Sequence, residues 1–157
     1  MSGKLRSLAR RSERRAPMEE LSSGEITRDF GLLGDFKGAK HKTRQITILA
    51  LEDWRAALSD LGRTDREYPW LVRRANLLVE NIRLPRAKGA VLSIGAARFE
   101  VTGQTYPCKR MDEALPGLLK ALSPEWRGGV TCRVIEGGEL AVGDEAVIID
   151  GGIEHIR

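Results

Sequence analysis

The chain is poor in cysteine and aromatic residues and has no long apolar run. Only Cys108 and Cys132 occur among 157 residues, and no CxxC is present. A disulfide framework and a CxxC redox pair are therefore excluded, and a reducing, cytoplasmic setting is expected. No apolar stretch approaches the roughly 20 residues that a membrane helix needs. The basic N-terminus is followed by no apolar core and small-residue cleavage site, so no signal peptide is expected. Several motifs are also missing. GxGxxG after a strand, GxxxxGK[ST], HExxH and GxSxG do not occur, and the glycines of GLLGDFKG have the wrong spacing for a phosphate loop. His41 and His155 are too far apart in the sequence to suggest a protein-built zinc site. Glu19-Glu20 and Asp112-Glu113 read as solvated or helix-start charges rather than as acid/base couples.

What is present is the composition of a single globular domain. Charged residues make up 31% and the net charge is +4. That length can bury a core without staples. The positive charge is uneven. Lys4, Arg6, Arg10, Arg11, Arg14 and Arg15 face only Glu13 in the first fifteen residues, and the remainder is close to neutral. One reading of this segment is an anion or nucleic-acid contact. The other is a solvated strand with Leu5 and Leu8 turned inward. No aromatics interleave these cations as a single-strand binder requires, which favours the second reading.

RQITIL (44–49) is β-branched and reads as a strand. In ALEDWRAALSDLG, Leu51, Trp54, Ala57, Leu58 and Leu61 fall at helical spacing, Glu52 and Asp53 sit in the first turn, and Gly62 stops the helix. ANLLVENIRL reads as a buried strand and turn, and AVLSIGAARFEVTG as two short strands. MDEALPGLLKAL carries a helical face interrupted by Pro116-Gly117, so two short helical pieces are expected. GVTCRVIEGGELAVGDEAVIID alternates on both sides of Gly137-Gly138 and predicts a hairpin. Short strands with few helices argue for a mainly β fold, a closed or nearly closed β-barrel with helical insertions. Parallel βαβ winding fits this order poorly. The chain reads as one domain over residues 1–157, with residues 1–16 forming an edge strand plus loop.

Cys108 follows Pro107 and precedes a helical pattern and two cations, Lys109 and Arg110. Helix-end and cationic fields both favour a thiolate, the form that attacks electrophiles and ligates metals. A half-buried loop cysteine without chemistry is the plainer alternative. Cys132 alternates with valines inside a strand and reads as structural. In LVRRANLLVEN, Arg73, Arg74 and Asn76 precede the apolar run. An arginine and an asparagine there can grip an oxyanion, or can be a surface pair and a strand-entry residue.

GLLGDFKG with KTRQITIL, RRANLLVEN, SIGAARFEVTGQTYPCKRM and RGGVTCRVIEGGELAVGDEA occur in an order and spacing that resemble the MOSC domain, the module named for the C-terminal part of molybdenum cofactor sulfurase. The resemblance runs from about Leu5 to Val147 and is to the small stand-alone bacterial type. It implies a β-barrel of the pyruvate-kinase-barrel-like kind with short helices. It also implies that Cys108, in a proline-Cys-x-[KR] loop, is the catalytic cysteine. Such a cysteine carries sulfur as a persulfide, taken from a pyridoxal-phosphate desulfurase, or ligates the molybdenum of a pterin cofactor. By the same resemblance Arg74 and Asn76 hold that cofactor, with Arg44 and Lys109 as further basic contacts. Pyridoxal phosphate belongs to the partner desulfurase or to the wider family. Two positions depart from the family pattern. Leu33 stands where members often carry an acid, and Thr105 lies where many have a second cysteine. The resulting expectation is a protein that binds molybdenum-pterin cofactor or carries sulfur for cofactor maturation. Its partner is a cysteine desulfurase or an electron-transfer protein, and neither nucleic acid nor a membrane is expected. The alternatives are a molybdenum-dependent reductase of N-hydroxylated compounds and a non-catalytic barrel that binds anions or nucleic acid.

Overall fold

The computed structural model describes residues 2–38 and 40–153, so His155 lies outside the described residues. Seven strands close a barrel: β1 (Ser2–Arg10), β5 (Ile46–Ala50), β6 (Leu77–Glu80), β7 (Val91–Ile94), β8 (Ala97–Gln104), β9 (Val130–Glu136) and β11 (Glu145–Asp150). Their order is β11-β7-β8-β9-β5-β6-β1, and β1 pairs back onto β11. The short strand β2 (Glu19–Leu21) extends β1. A separate small sheet joins β10 (Gly138–Ala141), β3 (Ser23–Thr27) and β4 (Gly31–Leu32). The expected mainly β barrel is what the chain forms. Among the described residues no helix is long and apolar enough to cross a membrane.

The alternation of apolar residues explains the closure. Leu5, Ile46, Ile48, Leu77, Val79, Leu92, Phe99, Val101, Cys132 and Val134 are buried in one continuous cluster inside the barrel. Cys132 is fully buried there, and burial pushes its thiol up. Residues on the opposite strand faces, such as Ala9, Leu49 and Leu78, belong to a second cluster. Helices α1 (Leu51–Asp60), α2 (Lys109–Ala114) and α3 (Leu118–Leu122) cover that outer face through Trp54, Leu58, Met111, Leu118 and Leu122. Pro116-Gly117 separates α2 from α3, as the sequence predicts.

Three expectations need correction. The N-terminal strand is not an edge strand. β1 pairs with β6 on one side and with β11 and β2 on the other, because its inward Leu5 and Leu8 complete the barrel core. The predicted hairpin across Gly137-Gly138 does not form. Both edges of β9 are already taken, by β8 and β5, so β10 has no free edge there and pairs with β3 instead. Finally, β5 and β6 are parallel, joined through α1 as one βαβ unit. That pair brings Arg44, just before β5, and Arg73 to Ala75, just before β6, to the same end of the two strands.

Candidate functional site

On the outer face of the barrel a cavity of about 630 Å³ opens beside the helical layer. Its floor is hydroxylated. Thr47 of β5, Thr102 of β8 and Thr131 of β9 line it, and each lies next in sequence to an interior core residue, so each faces outward. Its walls are cationic. Arg11, Lys37, Arg44, Arg73, Arg74 and Lys88 all line the cavity, and among the described residues no carboxylate does. Among the described residues none of these six forms an ion pair, although Arg6, Arg10, Arg55, Arg63, Arg86, Arg127 and Arg133 elsewhere all do. Charges that are taken out of water without partners are costly. Arg73 is buried and Arg11, Lys37 and Arg74 are half-buried, while Arg44 and Lys88 are exposed, so this concave group of cations offers a favourable electrostatic surface to an anion.

Arg73 is the deepest of them, with 7% of its surface exposed. Its Nε donates to the Gly128 carbonyl at 3.1 Å and its Nη2 to the Thr105 carbonyl at 2.9 Å. Burial pushes its guanidinium down, and the Cys108 sulfur acts in the opposite sense, which places that cysteine within electrostatic reach. Arg74 follows in the left-handed region, at φ 63 and ψ 33, as the cap of a short 3-10 turn over Trp70–Arg73. This backbone swing sends the two consecutive arginines in different directions. Arg74 Nη2 donates to the Ala16 carbonyl at 2.6 Å, while its buried Nε has no partner. The Thr105 hydroxyl, also on the cavity wall, is likewise buried and unsatisfied. Lys37 is held below the usual range for a lysine, first by burial and then by Arg44 and Arg11.

The sequence-derived residues divide into three groups. Arg44 and Arg74 meet in the cavity. Asn76 sits behind it, 3% exposed. Its Oδ1 accepts from the Thr47 amide at 3.0 Å and the Thr47 hydroxyl at 3.2 Å, and its Nδ2 donates to Ala9 O at 3.3 Å. It thus braces a floor residue instead of lining the cavity. Cys108 and Lys109 are exposed on the adjoining loop, Cys108 capping α2 and Lys109 opening it. Thr105 and Tyr106 line the cavity, so the loop runs from its wall to the cysteine. A Cβ added to Gly128 would stand 2.5 Å from the Thr105 carbonyl oxygen and 3.1 Å from Arg73 Nη2, so the glycine lets this loop pack closely. Arg11, Lys37, Lys88 and Trp126 were not singled out in the sequence as site residues. Arg73 was visible beside Arg74, but only the turn shows which of the two is buried. Lys88 carries no local signal.

Several solved structures share this fold. The YuaD protein from Bacillus subtilis superposes with a TM-score of 0.76 at 16% identity, covering 93% of this chain and 94% of that one. YiiM from Geobacillus stearothermophilus gives a TM-score of 0.69 at 15% identity, covering 92% of this chain and 73% of that one. YiiM from Escherichia coli gives a TM-score of 0.62 at 14% identity, with 94% and 70% covered. No curated protein matches the sequence. The family model described as MOSC domain matches residues 34–147, which include Lys37, Arg44, Arg73, Arg74, Lys88 and Cys108. With that match over most of its length, the chain belongs to the MOSC domain family.

Proposed function

We propose that the protein binds a molybdenum-pterin cofactor in the cationic cavity and uses Cys108 at its edge as metal ligand or sulfur carrier. The observation that carries this reading is the set of six cavity cations without a carboxylate partner. The fit to such a group is good on three counts. The cofactor ends in phosphate, for which guanidinium groups are the matched donors. Two buried polar atoms, Arg74 Nε and Thr105 Oγ1, lack partners and stand ready for oxyanion contacts. Among the described residues no three His, Cys, Asp or Glu side chains converge, so a metal would come with a cofactor and not on a protein-built cage.

In this reading Arg73, Arg74, Arg44 and Lys37 hold the anionic part, and Asn76 fixes Thr47 in the cavity floor. When bound, the cofactor supplies a redox-active metal centre. The Cys108 thiolate is a soft ligand suited to that metal. In the sulfur-carrier role, Cys108 attacks the outer sulfur of a donor persulfide on a cysteine desulfurase. A new S–S bond forms on Cys108, and the donor cysteine leaves as a thiolate.

The test is composition. Protein purified from cells that make the cofactor should carry molybdenum and, after oxidation, a fluorescent pterin. Cys108→Ala should lose molybdenum or the added sulfur while keeping the pterin. Wild-type protein with neither metal nor persulfide, under any donor supplied, would reject the reading.

A further inference from the structure

Trp126 also lines the cationic cavity and packs against the barrel core. Its backbone is unusual. Glu125, at φ 50 and ψ 33, and Trp126, at φ 57, are consecutive non-glycine residues in the left-handed region. Each such residue is strained, and strain of this kind persists where the surroundings over-determine the chain. Here they do. Glu125 pairs with Arg86 at 3.4 Å. Arg127 Nη1 reaches Asp60 at 2.6 Å and the Ala121 carbonyl at 3.1 Å. The Gly129 amide donates to Trp126 O at 2.9 Å, and Gly128 packs on Thr105. The segment is thus pinned on both sides of the indole, which stands where the cavity meets a smaller charged pocket containing Asp53 and Arg86. Besides packing on the core, Trp126 adds an aromatic residue to a cavity lined mainly by cations and hydroxyls. An inorganic oxyanion can use only the indole N–H, whereas a planar heterocycle stacks on the ring itself.

We infer that Trp126 is the specificity-determining wall of this cavity, selecting anions that carry a planar fused heterocycle over simple oxyanions. This deepens the cofactor reading and rests on it. The arginines and Lys37 attract any oxyanion, and the indole discriminates between them. Tyr106 is the other aromatic residue of the cavity, but it is 75% exposed and lies at the opening.

The test is calorimetric titration of the full chain with guanosine 5′-monophosphate and with inorganic phosphate, at one pH and salt. Wild type should bind the nucleotide at least about tenfold more tightly than phosphate, the usual scale of one stacked ring. In Trp126→Ala the ratio should fall to near one, and Trp126→Phe should restore most of it. If Trp126→Ala fails to fold, the Trp126→Phe and Trp126→Leu pair gives the same contrast, with only the aromatic variant keeping the preference. Equal binding of the two probes by wild type overturns the inference and leaves the cationic cavity standing. So does an unchanged ratio in the aliphatic variants. Binding of neither probe overturns both the inference and the cofactor reading.

Discussion

Asp53 is a residue on which two effects compete. It sits in the first turn of α1, where the helix dipole favours a negative charge. Burial nevertheless outweighs the dipole and the nearby Arg127, and pushes its carboxyl up to about 6 from an ordinary 3.8. The folded state therefore holds this proton more tightly than the unfolded chain. The stability it contributes is complete below about 3.8 and is lost as pH rises through about 6. Asp53→Asn should match wild type at pH 4 and exceed it at pH 7.5 by on the order of 1 kcal/mol, discounted for partial exposure, in urea melts at the two pH values. Asn76 and Arg74 separate along another line. Asn76→Ala strands the Thr47 amide and removes a buried bond to Ala9, and should cost about 2–4 kcal/mol in a denaturant titration. Arg74→Gln should cost under about 1 kcal/mol, because Arg74 is only partly buried. The R-x-N pattern was legible in the sequence, but its division of labour was not. Whether an amide faces a cavity or a neighbouring strand depends on the register of β6 against β5.

At the scale of elements, periodicity revealed most of the secondary structure and little of the pairing. The helical spacing around Trp54 and the break at Pro116-Gly117 both match the structure, because each is decided locally. The partner of β10 is not local. Alternation on either side of two glycines signals strands and a turn, but a hairpin also needs a vacant edge, and β8 and β5 fill those of β9. The βαβ unit escaped for a similar reason, since one parallel pair within an antiparallel barrel leaves no period of its own. The connection entering β9 makes a tight demand on the backbone. Gly129 has φ +99, and a Cβ there would collide with the Ile48 carbonyl oxygen. Gly129→Ala should lower stability by about 2 kcal/mol or more and tilt the Trp126 segment away from its cavity, seen as a fall in melting temperature and a change in tryptophan emission.

For the molecule as a whole, the distribution of charge matters more than its net value of +4. The basic N-terminal segment is largely a barrel strand, with Arg6 paired to Glu80 and Arg10 to Glu19. Exposed pairs of this kind contribute little to stability. The cavity gathers six cations that form no ion pair among the described residues. They come from four stretches of chain, around residues 11, 37–44, 73–74 and 88, so no linear motif could announce them. The fold assembles them by starting β5 and β6 at the same end and by packing the Thr105–Cys108 loop on Arg73. The central claim is that this assembly holds an anionic pterin. Its most direct test is the oxidised-pterin content, per mole of folded protein, of wild type and of the Arg73→Gln, Arg74→Gln double variant purified from cofactor-producing cells. The account predicts near-stoichiometric pterin in wild type and a loss of at least about tenfold in the variant. Equal pterin in both proteins, or none in wild type, would contradict it.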